Sequence, residues 1–519
     1  PKRAPNQPLT QVDVGLVNNK QFNATADVAR RFGPDGSTGL RVVATHRQGK
    51  TAIDHEHNKE DLLQAGLDWH DADTRLSADV GYQNHRLEQT RTNVSLGAAV
   101  TAVPSAPKST LNWAEPWSYS KEKDTFGTLR GEHDFNDQVT GWFALGARQS
   151  KEDNSLANLT VNSNDGAGSS YRFDNVRKDR IITGEVGARA KFTTGDIKHE
   201  VVGTVGTYQS RKKNGWKFDY GNQLATSLYS PTYHDRPDWT ANATEGSFAS
   251  PSLAGKVRLR SIALGDTMSF LGDQLLVTVG ARHQALRVDD WSVQTGAQTA
   301  HYDQSRVSPM AGVVYKLQNN LSLYANYIEG LSQGGTAPTV NSTTGAAVTN
   351  AGQTLKPYVA KQKEIGVKYD LGGTILAATL FSTDKPRAYV NSANTFVASG
   401  KDRHQGLELT VQGEPIKHLR TLGGITFLDA KQRSTGSATT DGKRVLGVPK
   451  QQASLSLDWD TPWVEGLSLD TRVLYTGSVK ANSTNTLEAP AWTRLDIGAR
   501  YLLDVQGKLV TLRARIDNL

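Results

Sequence analysis

The sequence contains no cysteine and only two methionines among its 519 residues. Disulfide bonds and thiolate metal sites are therefore excluded, and hydrogen bonding and packing must hold the fold together. The chain also lacks a linker rich in proline and serine, a block of like charges and any shift in composition. We therefore expect one continuous architecture, although the length could hold about three average domains.

Long apolar runs are missing as well. The longest candidate, residues 371–381, is shorter than the ~18 residues that a membrane helix needs, and it carries two glycines. The formal net charge is +7, but Lys and Arg are interleaved with Asp and Glu along the whole chain. No basic stripe or known motif indicates a nucleic-acid partner.

What the sequence does contain is an alternation of apolar and polar residues. Ile182, Val186 and Phe192 alternate with Glu185 and Arg189, and the same period of two returns at residues 453–459, 495–501 and 510–516. This period predicts β-strands with one apolar and one polar face. A soluble β-sandwich would show it too, so alternation alone leaves that fold open.

The connections between the predicted strands separate the two folds. About 21 strands are predicted from the alternation, and short and long gaps alternate between them along the chain. The short gaps are 33–36, 71–73, 136–137, 194–196, 318–320, 372–373, 414–417 and 504–507. The long gaps are 87–124, 151–177, 211–254, 330–360, 385–401 and 432–447. Short turns on one side and long loops on the other are typical of bacterial outer-membrane barrels.

The sequence therefore predicts an all-β protein, a transmembrane antiparallel β-barrel. Bacterial single-chain barrels close with an even number of strands, so we expect about 22, with the last strand not in this chain.

Several segments resemble TonB-dependent outer-membrane siderophore receptors of the ferrichrome and ferrioxamine type. Residues 363–370 (KEIGVKYD) are similar to the family's E-(I/V)-G-x-K strand, and residues 404–409 (HQGLEL) to its G-x-E-(L/V) strand. Residues 424–430 and 491–498 continue the series, and residues 513–519 resemble the penultimate strand. The resemblance implies that residues 1–8 end a linker from a plug domain and that residues 9–519 form the barrel, incomplete at its C-terminus. The plug, the TonB box and any signal peptide would lie upstream.

The resemblance also implies a function. The whole protein would bind a ferric siderophore at its extracellular loops and import it when TonB, driven by the proton gradient, pulls on the plug. We expect a bacterial outer-membrane location, a monomer, and contact with membrane lipid and lipopolysaccharide. The iron stays inside the chelate, so we expect neither a cofactor nor protein metal ligands, and no catalytic motif indicates an enzyme. A receptor for haem or sugar, a passive channel, and a receptor that also signals through an N-terminal domain stay open.

Aromatic residues in the predicted loops are the candidate ligand contacts, because they offer an organic chelate both apolar area and hydrogen-bonding groups. The candidates are Trp113, Trp117, Tyr119, Trp216, Tyr220, Tyr233, Trp239, Trp291 and Tyr302, of which the last two belong to a further predicted loop near residues 291–303. The first three form the preferred cluster. The alternative for each is packing within a loop or at the lipid interface.

Basic residues near the loop bases bear on the chemical class of the siderophore. A hydroxamate ligand is slightly favoured, but these residues would suit an anionic tris-catecholate. They are Arg177, Lys178, Arg211, Lys212 and Lys213. The histidines that keep haem open are His55, His57 and His301. The tryptophans expected in a periplasmic girdle are Trp142, Trp459, Trp463 and Trp492.

Overall fold

The computed structural model describes residues 2–18, 20–241, 243–341 and 345–519. Within these ranges the chain is built from β-strands, with one short 3-10 helix at Pro34–Gly36 and no α-helix. No helix in the described ranges is long and apolar enough to cross a membrane.

The described residues form 26 strands, of which five are short and 21 are long. The long strands are β1 (Leu9–Val17), β2 (Gln21–Phe32), β3 (Thr38–Lys50), β4 (His57–His70), β5 (Thr74–Glu88), β7 (Tyr119–Asp134), β8 (Val139–Val161), β9 (Ala167–Thr194), β10 (Ile197–Phe218), β13 (Ser252–Phe270), β14 (Leu275–Trp291), β15 (Gln298–Gln318), β16 (Leu321–Ser332), β17 (Tyr358–Asp370), β18 (Thr374–Val390), β19 (Phe396–Ile416), β20 (Leu419–Arg433), β21 (Gln451–Asp460), β22 (Leu467–Thr476), β25 (Trp492–Val505) and β26 (Lys508–Ile516). The short ones are β6 (Ser95–Leu96), β11 (Leu224–Ser227), β12 (Thr244–Glu245), β23 (Val479–Lys480) and β24 (Glu488–Ala489).

The chain divides into two compact units. The first comprises Pro1–Phe192, Val201–Leu264 and Arg282–Arg306, and the second Thr193–Glu200, Gly265–Ala281 and Val307–Leu519. In the first unit, β1 to β5, β7 and β8 each pair antiparallel with the next long strand in chain order. In the second unit, β16 to β22 and β25 do the same. Such up-and-down pairing needs only local turns between neighbours.

One face of the strands carries large apolar side chains that are exposed. Val186 is 62% exposed and Leu264 63% in the first unit, and Ile365 is 60% exposed in the second. The other face carries charged residues such as Glu185 and Arg189. In a water-soluble protein such an apolar surface would be buried, whereas a membrane barrel turns it to lipid. We call the apolar side the outward face and the charged side the inward face.

The long strands follow the predicted alternation of turns. The short connections are 33–37, 71–73, 135–138, 195–196, 271–274, 319–320, 371–373, 417–418, 461–466 and 506–507. The others include the long connections 89–118, 219–251, 333–357, 434–450 and 477–491. The predicted all-β fold and the alternation are therefore confirmed.

Three predicted loops are wrong in part. Residues 151–177 belong mostly to β8 and β9, which pair without a break as far as Val161↔Gly168. Residues 385–401 are likewise shared by β18 and β19, and the connection near 291–303 shrinks to residues 292–297. These hairpins continue beyond the length that a membrane requires, about 10 residues per strand. A loss of apolar character therefore marked the end of the membrane span but did not mark the end of the strand.

Candidate ligand-binding loops

The connection 89–118 is fixed from within by a buried asparagine. The side-chain amide of Asn112, which is fully buried, donates to the carbonyl oxygens of Asp54 and Gln89, each at 2.8 Å. Its own oxygen accepts from the backbone N–H of Ala114 at 2.9 Å. A buried amide with all three bonds made holds the backbone in one arrangement. The connection 89–118 is therefore held in one conformation and is hydrogen-bonded to the neighbouring connection 51–56.

The connection 219–251 is closed at its base by hydrogen bonds and is also hydrogen-bonded to the connection 89–118. The carboxylate of Asp219 accepts from the backbone N–H and the hydroxyl of Thr240 at 2.8 and 2.7 Å. Burial raises the pKa of Asp219, but these hydrogen bonds outweigh it and the net pKa is lowered. Further along, the backbone N–H of His234 donates to the buried Glu115 at 2.7 Å, and the hydroxyl of Tyr233 donates to the carbonyl of Asn112 at 2.8 Å.

Four aromatic rings form a ladder at the end of β10. Trp216 and Phe218 stack with ring centroids 5.1 Å apart, and Phe218 meets Tyr220 at 4.7 Å. Tyr220 in turn meets Tyr171 of β9 at 4.4 Å, and the hydroxyl of Tyr171 donates to that of Tyr220 at 3.4 Å. Burial, with that hydrogen bond, raises the pKa of Tyr171 to about 12. Tyr220 is 60% exposed, so the end of the ladder is open to a ligand.

The alternation of β9 tells which face the ladder occupies. β8 and β9 pair without a register shift from Val139↔Ala190 to Val161↔Gly168. Ile182 lies on the outward face, so Tyr171, an odd number of residues away, lies on the inward face. The ladder, which we define as Tyr171, Trp216, Phe218 and Tyr220, is therefore on the inward side, together with the charged residues of the lower strands.

Trp239 lies against the opposite face of the same hairpin. The guanidinium carbon of Arg172 is 3.9 Å from its ring centroid, and the ammonium of Lys217 is 5.0 Å away. Arg172 is held by Asp174 at 2.7 Å, and Asp174 also accepts from Arg236 at 2.8 Å. This cation–π and ion-pair cluster packs the connection 219–251 onto the hairpin.

A comparison of the chain with known protein families agrees with the amino-acid pattern and with this geometry. A profile of the family described as "TonB dependent receptor-like, beta-barrel" matches residues 63–519. The chain belongs to this TonB-dependent receptor family.

Similar proteins place it more finely within the TonB-dependent receptors. It is 34% identical to the ferrichrome receptor FcuA of Yersinia enterocolitica, over 100% of this chain and 67% of that protein. It is 26% identical to the probable TonB-dependent siderophore receptor PiuA of Acinetobacter baumannii, over 82% of this chain and 60% of that protein. The crystal structure of BauA, the ferric preacinetobactin receptor of A. baumannii, has a TM-score of 0.90 at 30% identity and covers 100% of this chain and 76% of its own.

Three predictions are confirmed by these findings: the TonB-dependent siderophore receptor family, the β-barrel fold class and the outer-membrane location. The similar proteins are transport receptors. The chain spans about two thirds of the curated relatives it matches.

The three aromatic residues of the preferred cluster have different surroundings in this TonB-dependent receptor. Trp113 packs against the apolar loop core of Val100, Leu159, Val161 and Leu228. Tyr119 opens β7 on the outward face and donates to Asp153 at 2.9 Å. Trp117 is half-buried, and its indole N–H has no hydrogen-bond partner in the described part of the chain.

The remaining candidates separate by face. Trp216 and Tyr220 belong to the inward ladder, whereas Trp291 lies under the ammonium of Lys256 at 5.1 Å, beside the outward residues of β13. Tyr233 lies at the connection 219–251, edge-on to His55 at 6.1 Å. Tyr302 is 1% exposed and lies in β15. A role in ligand binding stays a prediction for all of the candidates.

Two members of the ladder were missed from the sequence. Phe218 could have been found, because Trp216, Phe218 and Tyr220 follow one another at the i, i+2 spacing that puts side chains on one face of a strand. Tyr171 could not, because only the pairing of β9 with its neighbours brings it within reach of Tyr220.

The girdle tryptophans of the receptor are also sorted by the structure. Trp459 and Trp463 meet edge to face at 4.8 Å beside the short connection 461–466. The prediction is wrong for Trp492, which begins β25 directly after the long connection 477–491. It is wrong for Trp142 too, whose indole N–H donates to the inward Glu185 at 3.0 Å.

Proposed function

We propose that the protein is an outer-membrane receptor that binds a ferric siderophore at its extracellular connections and imports it in a TonB- and proton-gradient-dependent way. The observation that carries the binding site is the inward aromatic ladder with its exposed end, Tyr220. The names of the similar proteins, a ferrichrome receptor and a ferric preacinetobactin receptor, support the class of ligand. Residues 1–8 would link the barrel of residues 9–519 to a plug on which TonB acts.

The ladder offers a chelate what a partly apolar organic ligand requires. Stacked rings supply rigid apolar area at little entropic cost, and the phenol of Tyr220 supplies a hydrogen-bond donor to an oxygen of the chelate. The iron keeps its ligands within the siderophore, so the protein needs no metal ligand and no catalytic group. The described residues hold no group of His, Asp and Glu that could bind a metal ion.

The charges favour a hydroxamate over a tris-catecholate. Arg177 is paired with Glu152 and Asp179, each at 2.9 Å, so its charge is already balanced. Lys178 shares the outward face with Ile182, and Arg211 and Lys213 share that face with Val205 in β10. Lys212, between them, lies on the inward face and has no ion pair in the described ranges. One unbalanced inward cation is fewer than a trianionic chelate calls for, whereas a neutral hydroxamate complex needs none.

The test is binding of a panel of ferric siderophores to the full-length receptor, followed by tryptophan fluorescence. Substituting Tyr220→Ala should weaken binding of a ferric hydroxamate about tenfold, because a central aromatic contact contributes at least about 1.4 kcal/mol. The matched control is Trp291→Ala, which removes an aromatic ring from the outward face and should leave the affinity unchanged. Equal losses in both variants would contradict the ladder site.

The panel also decides between the other substrates. Tight binding of a tris-catecholate would contradict the hydroxamate assignment, and quenching by haem or a sugar alone would contradict siderophore uptake. Nδ1 of His301, one of the histidines that kept haem open, lies 2.6 Å from Asp289, and such a carboxylate partner is compatible with metal binding through the other ring nitrogen, so the panel includes haem.

We also propose that the monomeric receptor binds the phosphates of lipopolysaccharide through its outward face. Lys123, Lys151 and Lys178 lie directly opposite one another on β7, β8 and β9. Like charges in cross-strand pairs repel, and within the described ranges no ion pair or hydrogen bond offsets these three. Lys178 lies four residues beyond the outward Ile182, or about 13 Å further from the apolar band.

Neighbouring strands extend this row of charge. Basic residues continue the outward face of β9, β10 and β13 above the exposed apolar residues. They are Arg180, Arg211, Lys213, Arg258 and Arg260. Asp153, the outward carboxylate nearest the row, is occupied by Tyr119. A patch of one sign directly above a lipid-facing band fits anionic lipid head groups, and its commonest occupant in an outer leaflet would be lipopolysaccharide.

A further inference from the structure

Residues 2–4, which precede the first strand, lie on the inward face of the first unit and are held there by their own side chains. The guanidinium of Arg3 makes two hydrogen bonds to Asp79 of β5, at 2.7 and 2.8 Å. The side chain of Asp79 is 4% exposed and also accepts from the hydroxyl of Thr128 at 2.8 Å. A bidentate arginine and carboxylate pair is both strong and specific in direction.

Two arginines of the strands hold the backbone of the same segment. Arg41 of β3 donates to the carbonyl oxygen of Arg3 at 3.1 Å, and Arg31 of β2 donates to the carbonyl oxygen of Ala4 at 2.9 Å. Each of these arginines is itself oriented by a carboxylate. Arg41 meets Asp27 at 2.8 Å through Nε, and Arg31 meets Asp68 at 2.7 Å. The guanidinium donors of Arg41 and Arg31 are therefore held in place by strand residues, independently of residues 2–4.

The strands leave space for this arrangement. Gly66 of β4 faces the pair, and a Cβ atom there would lie 3.0 Å from Asp79 and 3.2 Å from Arg3. A Cβ atom on Gly39 of β3 would lie 2.6 Å from Asp68. Any side chain at either position would push the carboxylate away from its arginine. Ala4, whose small side chain is buried, completes the fit.

We propose that Arg3, Asp79, Arg31 and Arg41 form an anchor that fixes residues 2–4 to the inner wall. A pull on the chain before residue 2 would then be resisted at four strands, β2 to β5, instead of peeling β1 from β2. β1 begins only at Leu9, so residues 5–8 connect the anchor to the first strand. The role in transport rests on the proposed TonB-driven uptake, whereas the anchoring itself does not.

The test uses the full-length receptor in outer-membrane vesicles, with a spin label on Asn6→Cys in a background from which any other cysteine has been removed. Asp79→Asn and Arg3→Gln should each increase the mobility of the label, because each removes one side of the pair. The control is Asp134→Asn, which removes the carboxylate of another inward pair, with Arg75 at 2.7 Å, that touches no residue of the segment. It should leave the label as immobile as in the wild type.

A second readout addresses transport. In the anchor variants the affinity for the ferric siderophore should stay within about twofold of wild type, while the rate of energised uptake falls at least fivefold. Arg3→Lys keeps the positive charge but loses the planar guanidinium that makes two parallel hydrogen bonds. Its uptake rate should therefore lie between those of the wild type and Arg3→Gln.

An unchanged label in both Asp79→Asn and Arg3→Gln would overturn the anchor. A mobile label with unchanged uptake would overturn its transport role. If the wild type imports no ferric siderophore, the proposed function fails, and the label still decides whether residues 2–4 are anchored.

Discussion

At the scale of single residues, the face of a strand decides what an aromatic ring can do. Trp216 and Trp291 both stand at the extracellular end of a strand, yet the first lies in the inward ladder and the second under an outward lysine. Composition and loop position treat them as equal. The alternation of each strand separates them, because successive side chains point to opposite faces.

Tyr171 carries a prediction about pH. Its folded-state pKa is raised to about 12, so its neutral form is favoured by the fold. The stability that this group contributes is fully present below the unfolded pKa of about 10 and is lost as the pH rises through about 12. The difference in tyrosinate absorbance between the full-length receptor and its Tyr171→Phe variant should show a midpoint near that higher value.

Its partner supplies the control. Tyr220→Phe removes the oxygen that accepts the Tyr171 hydrogen bond and should lower the midpoint, without restoring it fully, because burial is the larger cause. A wild-type midpoint near pH 10 would contradict the buried position of Tyr171 in the ladder.

At the scale of elements, the strands could be predicted and the loops could not. Ile182, Val186 and Phe192 revealed β9 through their period of two, and Gly195 with Asp196 revealed its turn. The extension of β8 and β9 beyond the membrane carries only a short apolar stripe, Ala157, Leu159 and Val161, and is otherwise mostly polar, so residues 151–177 looked like a loop. The ties between connections depend on buried polar residues such as Asn112 and Glu115, and nothing in the local sequence distinguishes these from solvated ones.

Glu115 should be decisive for how the two long connections hold together. It is 1% exposed and accepts from both the backbone N–H and the ring of His234, at 2.7 and 2.9 Å. Glu115→Ala should cost about 2 kcal/mol of local stability and speed amide hydrogen exchange in residues 219–241 about 30-fold. His234→Ala should give a smaller effect at the same amides, because it keeps the backbone bond donor.

Mass spectrometry of deuterium uptake in the full-length receptor would measure this. The membrane-spanning parts of β7 and β8 should exchange as in the wild type. Faster exchange throughout the protein would mean that Glu115 supports the whole fold, and unchanged exchange in residues 219–241 would mean that the tie contributes nothing.

At the scale of the whole molecule, the two faces of the strands differ in how their charged residues are arranged. The inward face carries paired charges, such as Arg3 with Asp79 and Arg177 with Glu152, which position backbone and connections. The outward face carries an apolar band and, beyond it, a row of cations that have no ion pair within the described ranges. The alignment of Lys123, Lys151 and Lys178 across three strands is repulsive in itself. The proposed phosphates of lipopolysaccharide would offset this repulsion.

Lipopolysaccharide retention should therefore depend on this row. Replacing Lys123, Lys151 and Lys178 together by Gln should weaken binding of phosphorylated lipid A about 100-fold, since each lysine near a membrane surface contributes about 1 kcal/mol. Replacing the exposed Lys20, Lys108 and Lys417 by Gln changes the net charge equally and should have no effect. The measurement is the amount of lipopolysaccharide that stays with the full-length receptor on purification, with added lipid A in detergent as the second readout. Equal retention by both triple variants would contradict the site, and displacement of lipid A by millimolar inorganic phosphate would show that the row recognises free phosphate instead of a lipid.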